Sequence, residues 1–203
     1  MTDMRIWLQD LASDKPAPGG GGAAALTGAC AAALGAMVAN LTAGNKKYAE
    51  VSEEMKALAL KTYETSEHMF TLIDLDREAF LPLAEAYRIP KDDPCRPEKM
   101  ESALRVAAGV PMEMLRTAGT MPELLRELLE KGTRLALSDV GCAAELCSAC
   151  ASSAHMNVLV NTGLMKDRAF AAELDGEAGR ILSETKEECE KLYAAVRAAL
   201  EKK

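Results

Sequence analysis

The chain has 203 residues, is 49% hydrophobic but only 4% aromatic, and carries a formal net charge of −7. That length suits one domain with a real core. The acidic balance argues against nonspecific binding to nucleic acid or an anionic bilayer, because polyanions are held by basic faces.

The first stretch, "MTDMRIWLQDLASDK", predicts an amphipathic helix over about residues 3–13, bearing Asp3, Arg5 and Asp10 rather than the features of a secretory leader. Pro16, Pro18 and the glycines Gly19–Gly22 separate it from an alanine-rich helix over 22–43, stopped by Gly44 and Asn45. A long helix over 46–87 ends at "RIPKDDPCRP", whose three prolines forbid continuation. The next covers 97–118, kinked or split at Pro111. "TMPELLRELLEKG" then predicts a separate helix with Thr120 as N-cap, Pro122 near its first turn and Gly132 as its stop. The last two helices run over 138–163, opened by Ser138, and 168–201.

No alternating strand pattern and no internal repeat interrupts this series. The expected architecture is all-α: a single-domain antiparallel helical bundle over 1–203. Six cysteines without an export signal are expected to stay reduced, in the cytoplasm.

The glycine run imitates several things. A membrane span needs about 20 strongly apolar residues, whereas this segment is mostly Ala and Gly and includes Thr27, Asn40 and Thr42. Gly20-x-Gly22-x-x-Ala25 copies a dinucleotide fingerprint but lacks the strand that must precede it. No Gly-Lys-Ser/Thr follows to make a P-loop. Two compatible readings survive. Ala24, Gly28, Ala32 and Ala36 recur every fourth residue and form a smooth ridge for close approach of another helix, from this chain or a second subunit. The glycines themselves, at a helix start, offer backbone N–H groups to an anionic ligand.

The sharpest signal is a carboxylate out of place. Met69, Leu72, Ile73, Phe80, Leu83 and Tyr87 form an apolar stripe, and Asp76 falls within it, four residues after Leu72 and four before Phe80. Asp74 lies about 200° away, beside Glu67, Glu78 and Glu85, on the side expected to be solvated. A carboxylate in an apolar stripe is paired, hydrogen-bonded or raised in pKa, which makes Asp76 a general acid/base candidate or half of a buried ion pair. Ser138 and Asp139 read as an N-cap and a first-turn acid. Asn157, 18 residues beyond Asp139, shares its face but lies about 27 Å along the axis. The two would serve opposite ends of a long ligand or sites completed by different subunits.

Cys142-x4-Cys147-x2-Cys150, with Cys189 beyond, copies a plant-type ferredoxin spacing, but the segment is helical and the thiols are expected to be structural and buried. His68 and His155 have no ligand-spaced partner, so no metal site is expected.

The ordered set "PAPGGGGAAA", "LTAGNKKY", "DLDREAF", "SDVGCAA" and "NVLVN" resembles the cyclodeaminase/cyclohydrolase family of folate enzymes over nearly the whole chain. The resemblance implies an all-helical domain that dimerises and acts on a tetrahydrofolate derivative, including polyglutamylated forms. Cyclodeaminases convert 5-formiminotetrahydrofolate to 5,10-methenyltetrahydrofolate with release of ammonia. Cyclohydrolase relatives interconvert the methenyl and 10-formyl forms. The former is the first expectation and the latter the alternative; a non-catalytic helical dimerisation module is the rival from another class. A deaminase would work with a separate formiminotransferase. No cofactor beyond the folate is implied.

The family's catalytic aspartate, second of an Asp-x-Asp pair, falls on Asp76. Gly19, Gly20, Gly21 and Gly22, with Lys46 or Lys47, are expected to hold a carboxylate or polar edge of the folate; Asp139 and Asn157 are further pocket candidates. Gly22 stands where relatives often have serine, and Asn45 where they often have a basic residue.

Overall fold

A computed structural model describes residues 3–202. Six α-helices follow one another: α1 (Met4–Leu11), α2 (Gly20–Ala43), α3 (Ser52–Arg88), α4 (Arg96–Lys131), α5 (Leu137–Thr162) and α6 (Arg168–Glu201). Short 3-10 turns at Lys46–Val51 and Arg134–Ala136 lead into α3 and α5. No strand occurs among the described residues.

The alanine-rich α2 lies at the centre, packed mainly against α3 and α5. Its seam with α3 has a seven-residue period. A Cβ added at Gly21, Gly28 or Gly35 would run into Asp76, Met69 or Thr62 respectively. Each step of seven along α2 is therefore a step of seven back along α3, the antiparallel form of a heptad seam. No glycine among the described residues has a positive φ, so these glycines serve close approach rather than backbone freedom. The ridge residues Ala24, Gly28, Ala32 and Ala36 are all buried within this one chain. They are filled by its own helices, not held open for a second subunit.

Composition alone would let α2 and the segment Arg134–Thr162 cross a bilayer, with mean hydropathy of 1.7 and 1.2. At least half of each is buried in the bundle, so their apolar length is used in the core.

The sequence predicts two helices where the structure has one. α4 runs unbroken from Arg96 to Lys131, with Pro111 and Pro122 inside it. Thr120 is not an N-cap; its hydroxyl donates to the Thr117 carbonyl one turn back. A proline in mid-helix removes the N–H that the carbonyl four residues earlier needs. Side chains of α5 answer both orphans: Asn161 Nδ2 donates to the Ala107 carbonyl at 3.3 Å, and Cys147 Sγ donates to the Ala118 carbonyl at 3.4 Å. Loss of two ladder bonds thereby becomes attachment to the neighbouring helix. Ser138 is likewise no cap, since α5 begins one residue earlier with no side-chain cap. Asp139 does occupy its first turn.

The main core spans α2 to α6, and a smaller cluster, including Leu83, Leu104, Ala107 and Met165, closes one end. Along α4 and α6 three ion pairs recur in step: Arg105–Asp167, Arg116–Glu177 and Arg126–Glu188.

Candidate active site

Where the large core gives way to the small cluster, the start of α2 meets the middle of α3 and the last turns of α5. A cavity of about 200 Å³ opens there, walled by Gly19–Gly21 of α2, Asp76, Arg77 and Phe80 of α3, Ala107 and Pro111 of α4, and Asn157, Val160 and Asn161 of α5. Pro16 and Ala17 close it from the loop after α1.

Asp76 is the top rung of the heptad seam. Its carboxylate sits so close to Gly21 that an added Cβ would lie 2.5 Å from its Cγ. Only hydrogen at that position leaves the space. The side chain is half-buried, whereas Asp74 is exposed and pairs with Arg77 at 3.5 Å. Burial raises the Asp76 carboxyl above its ordinary 3.8, and a backbone hydrogen bond from the Gly22 N–H opposes the rise. No cation neutralises it among the causes of that shift. The ion-pair alternative is thus not what the structure contains. One anion at this helix start is the protein's own, beside the N-terminal N–H groups and the positive end of the helix dipole.

Asn157 sits against Gly20, whose added Cβ would meet the amide Nδ2 at 3.3 Å, and that nitrogen donates to the Ser153 carbonyl. Gly22 faces away, toward Trp7, Pro18 and Ile73, at ordinary contact distances. A serine side chain would fit there.

The remaining candidates lie elsewhere. Lys46 and Lys47 are exposed beyond the far end of α2, which is 24 residues long, or about 36 Å. Asp139, in the first turn of α5, is at that same end, where the Thr133 N–H donates to Thr42 Oγ1. Within one chain, Lys46, Lys47 and Asp139 therefore do not line the Asp76 cavity. The sequence does not single out Asn161, the last residue of the "NVLVN" motif, yet it is a buried wall of the cavity. Its signal was positional: four residues after Asn157, it shares that residue's helical face.

The cysteines divide. Cys147, Cys150 and Cys189 are buried, as expected of structural thiols, but Cys142 is exposed, as are Cys30 and Cys95. Burial pushes the Cys150 thiol up to about 12. The neighbouring Cys189 thiol, then burial, holds Cys147 well above the ordinary thiol range. No group of three or more His, Cys, Asp or Glu is arranged to hold a metal ion among the described residues.

An enclosed carboxylate of raised pKa, beneath a helix start and inside an all-helical domain, is equipment for proton transfer. Residues 3–180 match the family described as formiminotransferase-cyclodeaminase. The methenyltetrahydrofolate cyclohydrolase of Methylorubrum extorquens is 38% identical over 198 residues, covering 96% of this chain and 95% of that protein. Formimidoyltransferase-cyclodeaminase of mouse is 30% identical over 189 residues, covering 91% of this chain but 35% of that longer protein. The crystal structure of formiminotetrahydrofolate cyclodeaminase from Thermotoga maritima superposes with a TM-score of 0.84 at 32% identity, covering 98% of this chain and 96% of that one. The chain belongs to the formiminotransferase-cyclodeaminase family, an all-helical group of folate one-carbon enzymes. The reading of a non-catalytic helical module is set aside.

Proposed function

We propose that this chain is a 5,10-methenyltetrahydrofolate cyclohydrolase. The observation that carries the reading is Asp76, a half-buried carboxylate of raised pKa facing a cavity in which, among the described residues, exposed Arg77 is the one cation. Similarity along the full length of the Methylorubrum cyclohydrolase supports it. Cyclodeamination of 5-formiminotetrahydrofolate, the first expectation from the sequence, becomes the second reading, supported by the Thermotoga structure. That reading calls for a formiminotransferase activity to supply its substrate.

In the hydrolytic direction, ionised Asp76 takes a proton from water as the oxygen bonds to the cationic methenyl carbon. The resulting carbinolamine collapses to 10-formyltetrahydrofolate: the carbon–N5 bond breaks, N5 receives the proton from Asp76, and the hydroxyl proton leaves to solvent. The balance is one water consumed and one proton released. In cyclodeamination the formimino group enters as its protonated cation. The same carboxylate takes the N10 proton as N10 bonds to the formimino carbon and gives it to the resulting amino group. That group leaves as ammonia when its carbon–nitrogen bond breaks to form the methenyl cation. In both, negative charge at Asp76 favours the methenyl cation.

The cavity is smaller than the roughly 300–1,000 Å³ of a pocket that encloses a drug-sized ligand. The ring end of the folate occupies it and the benzoyl-glutamate tail, with any polyglutamate, extends outside. No other cofactor enters the scheme, and the enzyme works in the cytoplasm as a homodimer, without nucleic acid or membrane partners.

The test is spectrophotometric. Purified protein is mixed with 5,10-methenyltetrahydrofolate, and separately with 5-formiminotetrahydrofolate, and the methenyl chromophore is followed. Accelerated loss in the first mixture supports cyclohydrolase; appearance only in the second favours cyclodeaminase. Asp76→Asn is expected to lower kcat by roughly 10²- to 10⁴-fold in whichever reaction proceeds. Full turnover by a correctly folded variant would remove Asp76 from the chemistry.

A further inference from the structure

Asn161 is held in a way that its own helix does not require. It is 9% exposed and lies on the α5 wall of the Asp76 cavity. Its Nδ2 donates to two carbonyls, Asn157 O at 2.7 Å and Ala107 O at 3.3 Å. The second acceptor is free because residue 111 is proline: the N–H that would answer Ala107 within α4 does not exist. Turning the amide over would set Oδ1 against both carbonyls, so its orientation is forced. Both Nδ2 hydrogens are consumed, and Oδ1 has no hydrogen-bond partner among the described residues. Ala107 and Pro111, which create this arrangement, also wall the cavity.

We propose that Asn161 Oδ1 is the acceptor for a ring N–H or the amino group of the reduced pterin, and that Pro111 is the positioning residue that aims it. This rests on the folate reading above. A carbonyl oxygen fixed on an α5 wall, with Asp76 on the α3 wall, orients the ring so that its one-carbon centre faces the carboxylate. Phe80 and Val160 supply apolar surface in the same cavity. Proline in mid-α4 is then a functional choice: it leaves a carbonyl that locks a substrate-binding amide from the next helix.

The experiment compares wild type, Asn161→Leu and Pro111→Ala in steady-state turnover of 5,10-methenyltetrahydrofolate and in equilibrium binding of tetrahydrofolate by tryptophan fluorescence. Circular dichroism and melting verify the fold. Asn161→Leu is expected to raise KM and Kd by roughly 10- to 100-fold, with kcat falling far less. Pro111→Ala restores an N–H for Ala107 O and releases Asn161 to turn. It is expected to raise both constants by roughly 3- to 10-fold without lowering the melting temperature.

If kcat falls while Kd stays within about twofold, the amide orients water rather than pterin, and the proposal is overturned. It is equally overturned if both folded variants bind and turn over like wild type. Should Asn161→Leu fail to fold, Pro111→Ala decides alone by the same criteria. Wild type that neither binds tetrahydrofolate nor consumes the methenyl form would defeat the folate reading and this assignment with it. Wild-type binding with unaffected variants defeats only the assignment.

Discussion

Two neighbouring glycines make opposite demands. Gly21 faces the Asp76 carboxylate with no space for a methyl group, whereas Gly22 has ordinary clearance to Trp7, Pro18 and Ile73. Alanine favours a helix over glycine by about 1 kcal/mol, so neither substitution should unfold the chain. Gly21→Ala is expected to displace the carboxylate and cost roughly 100-fold in kcat/KM, while Gly22→Ala keeps activity within about threefold. Steady-state kinetics on the two variants checks this; equal losses would mean that the close approach at Gly21 does not place Asp76.

The raised pKa of Asp76 also fixes a sign for stability. A carboxyl raised in the folded state contributes stability fully below its unfolded value and loses that contribution as pH rises through the folded value. At neutral pH, ionised Asp76 therefore costs stability. Asp76→Asn should melt higher than wild type near pH 7, with the gap closing as pH falls toward the ordinary carboxyl range. The acid limb of the wild-type rate profile should lie above 3.8. An Asp76→Asn variant melting lower than wild type at neutral pH would contradict burial as the dominant cause.

At the scale of the element, the α2–α3 seam explains what the sequence revealed and what it hid. Asp76 was legible because helical phase is local: four residues from Leu72 and from Phe80, it must share their face. The period of seven in Gly21, Gly28 and Gly35 was equally visible, but its meaning depends on the register of a second helix. By the local rule Pro111 reads as a kink or split and Pro122 as the first turn of a new helix, and only α5 could supply the donors that keep α4 whole. The family resemblance groups Lys46 and Lys47 with the glycines, while the intervening helix carries them about 36 Å away.

The middle rung offers a test of the seam. A Cβ at Gly28 would meet Cys150 Sγ at 2.8 Å and Met69 Sδ at 3.0 Å. Overpacking costs about 1–3 kcal/mol, against a helix-propensity gain of about 1. Gly28→Ala should thus lose about 0–2 kcal/mol, and adding Cys150→Ala should recover any such loss in part, measured as a double-mutant cycle in urea. Additive losses would show that the two positions do not share one space.

For the whole molecule, the separation of the candidate residues becomes an argument about assembly. The inner ridge of α2 is filled by its own chain, so a homodimer must use another surface. α2 leaves an uncharged outer stripe, Cys30, Ala33, Met37, Asn40 and Leu41, with Met37 40% and Leu41 52% exposed. Its middle residues are small, as close helix crossing requires. A two-fold axis through that midpoint and perpendicular to the helix would pair the helices antiparallel and set the far end of one copy over the cavity end of the other. Lys46 and Lys47 of the partner subunit would then approach the mouth where the anionic folate tail emerges, with Asp139 of the partner subunit at the same end. The expected mass in solution is that of a dimer. Met37→Lys with Leu41→Lys should give a monomer by light scattering, with KM raised more for polyglutamylated than for monoglutamylated substrate. Cys30, near the proposed axis, should react slowly with a thiol reagent in wild type and rapidly in this variant, while Cys95 reacts rapidly in both. Cys147, Cys150 and Cys189 should stay unreactive until the bundle unfolds. A monomeric wild type, or a doubly charged stripe that leaves the dimer intact, would place the interface elsewhere and return Lys46, Lys47 and Asp139 to the role of ordinary surface residues.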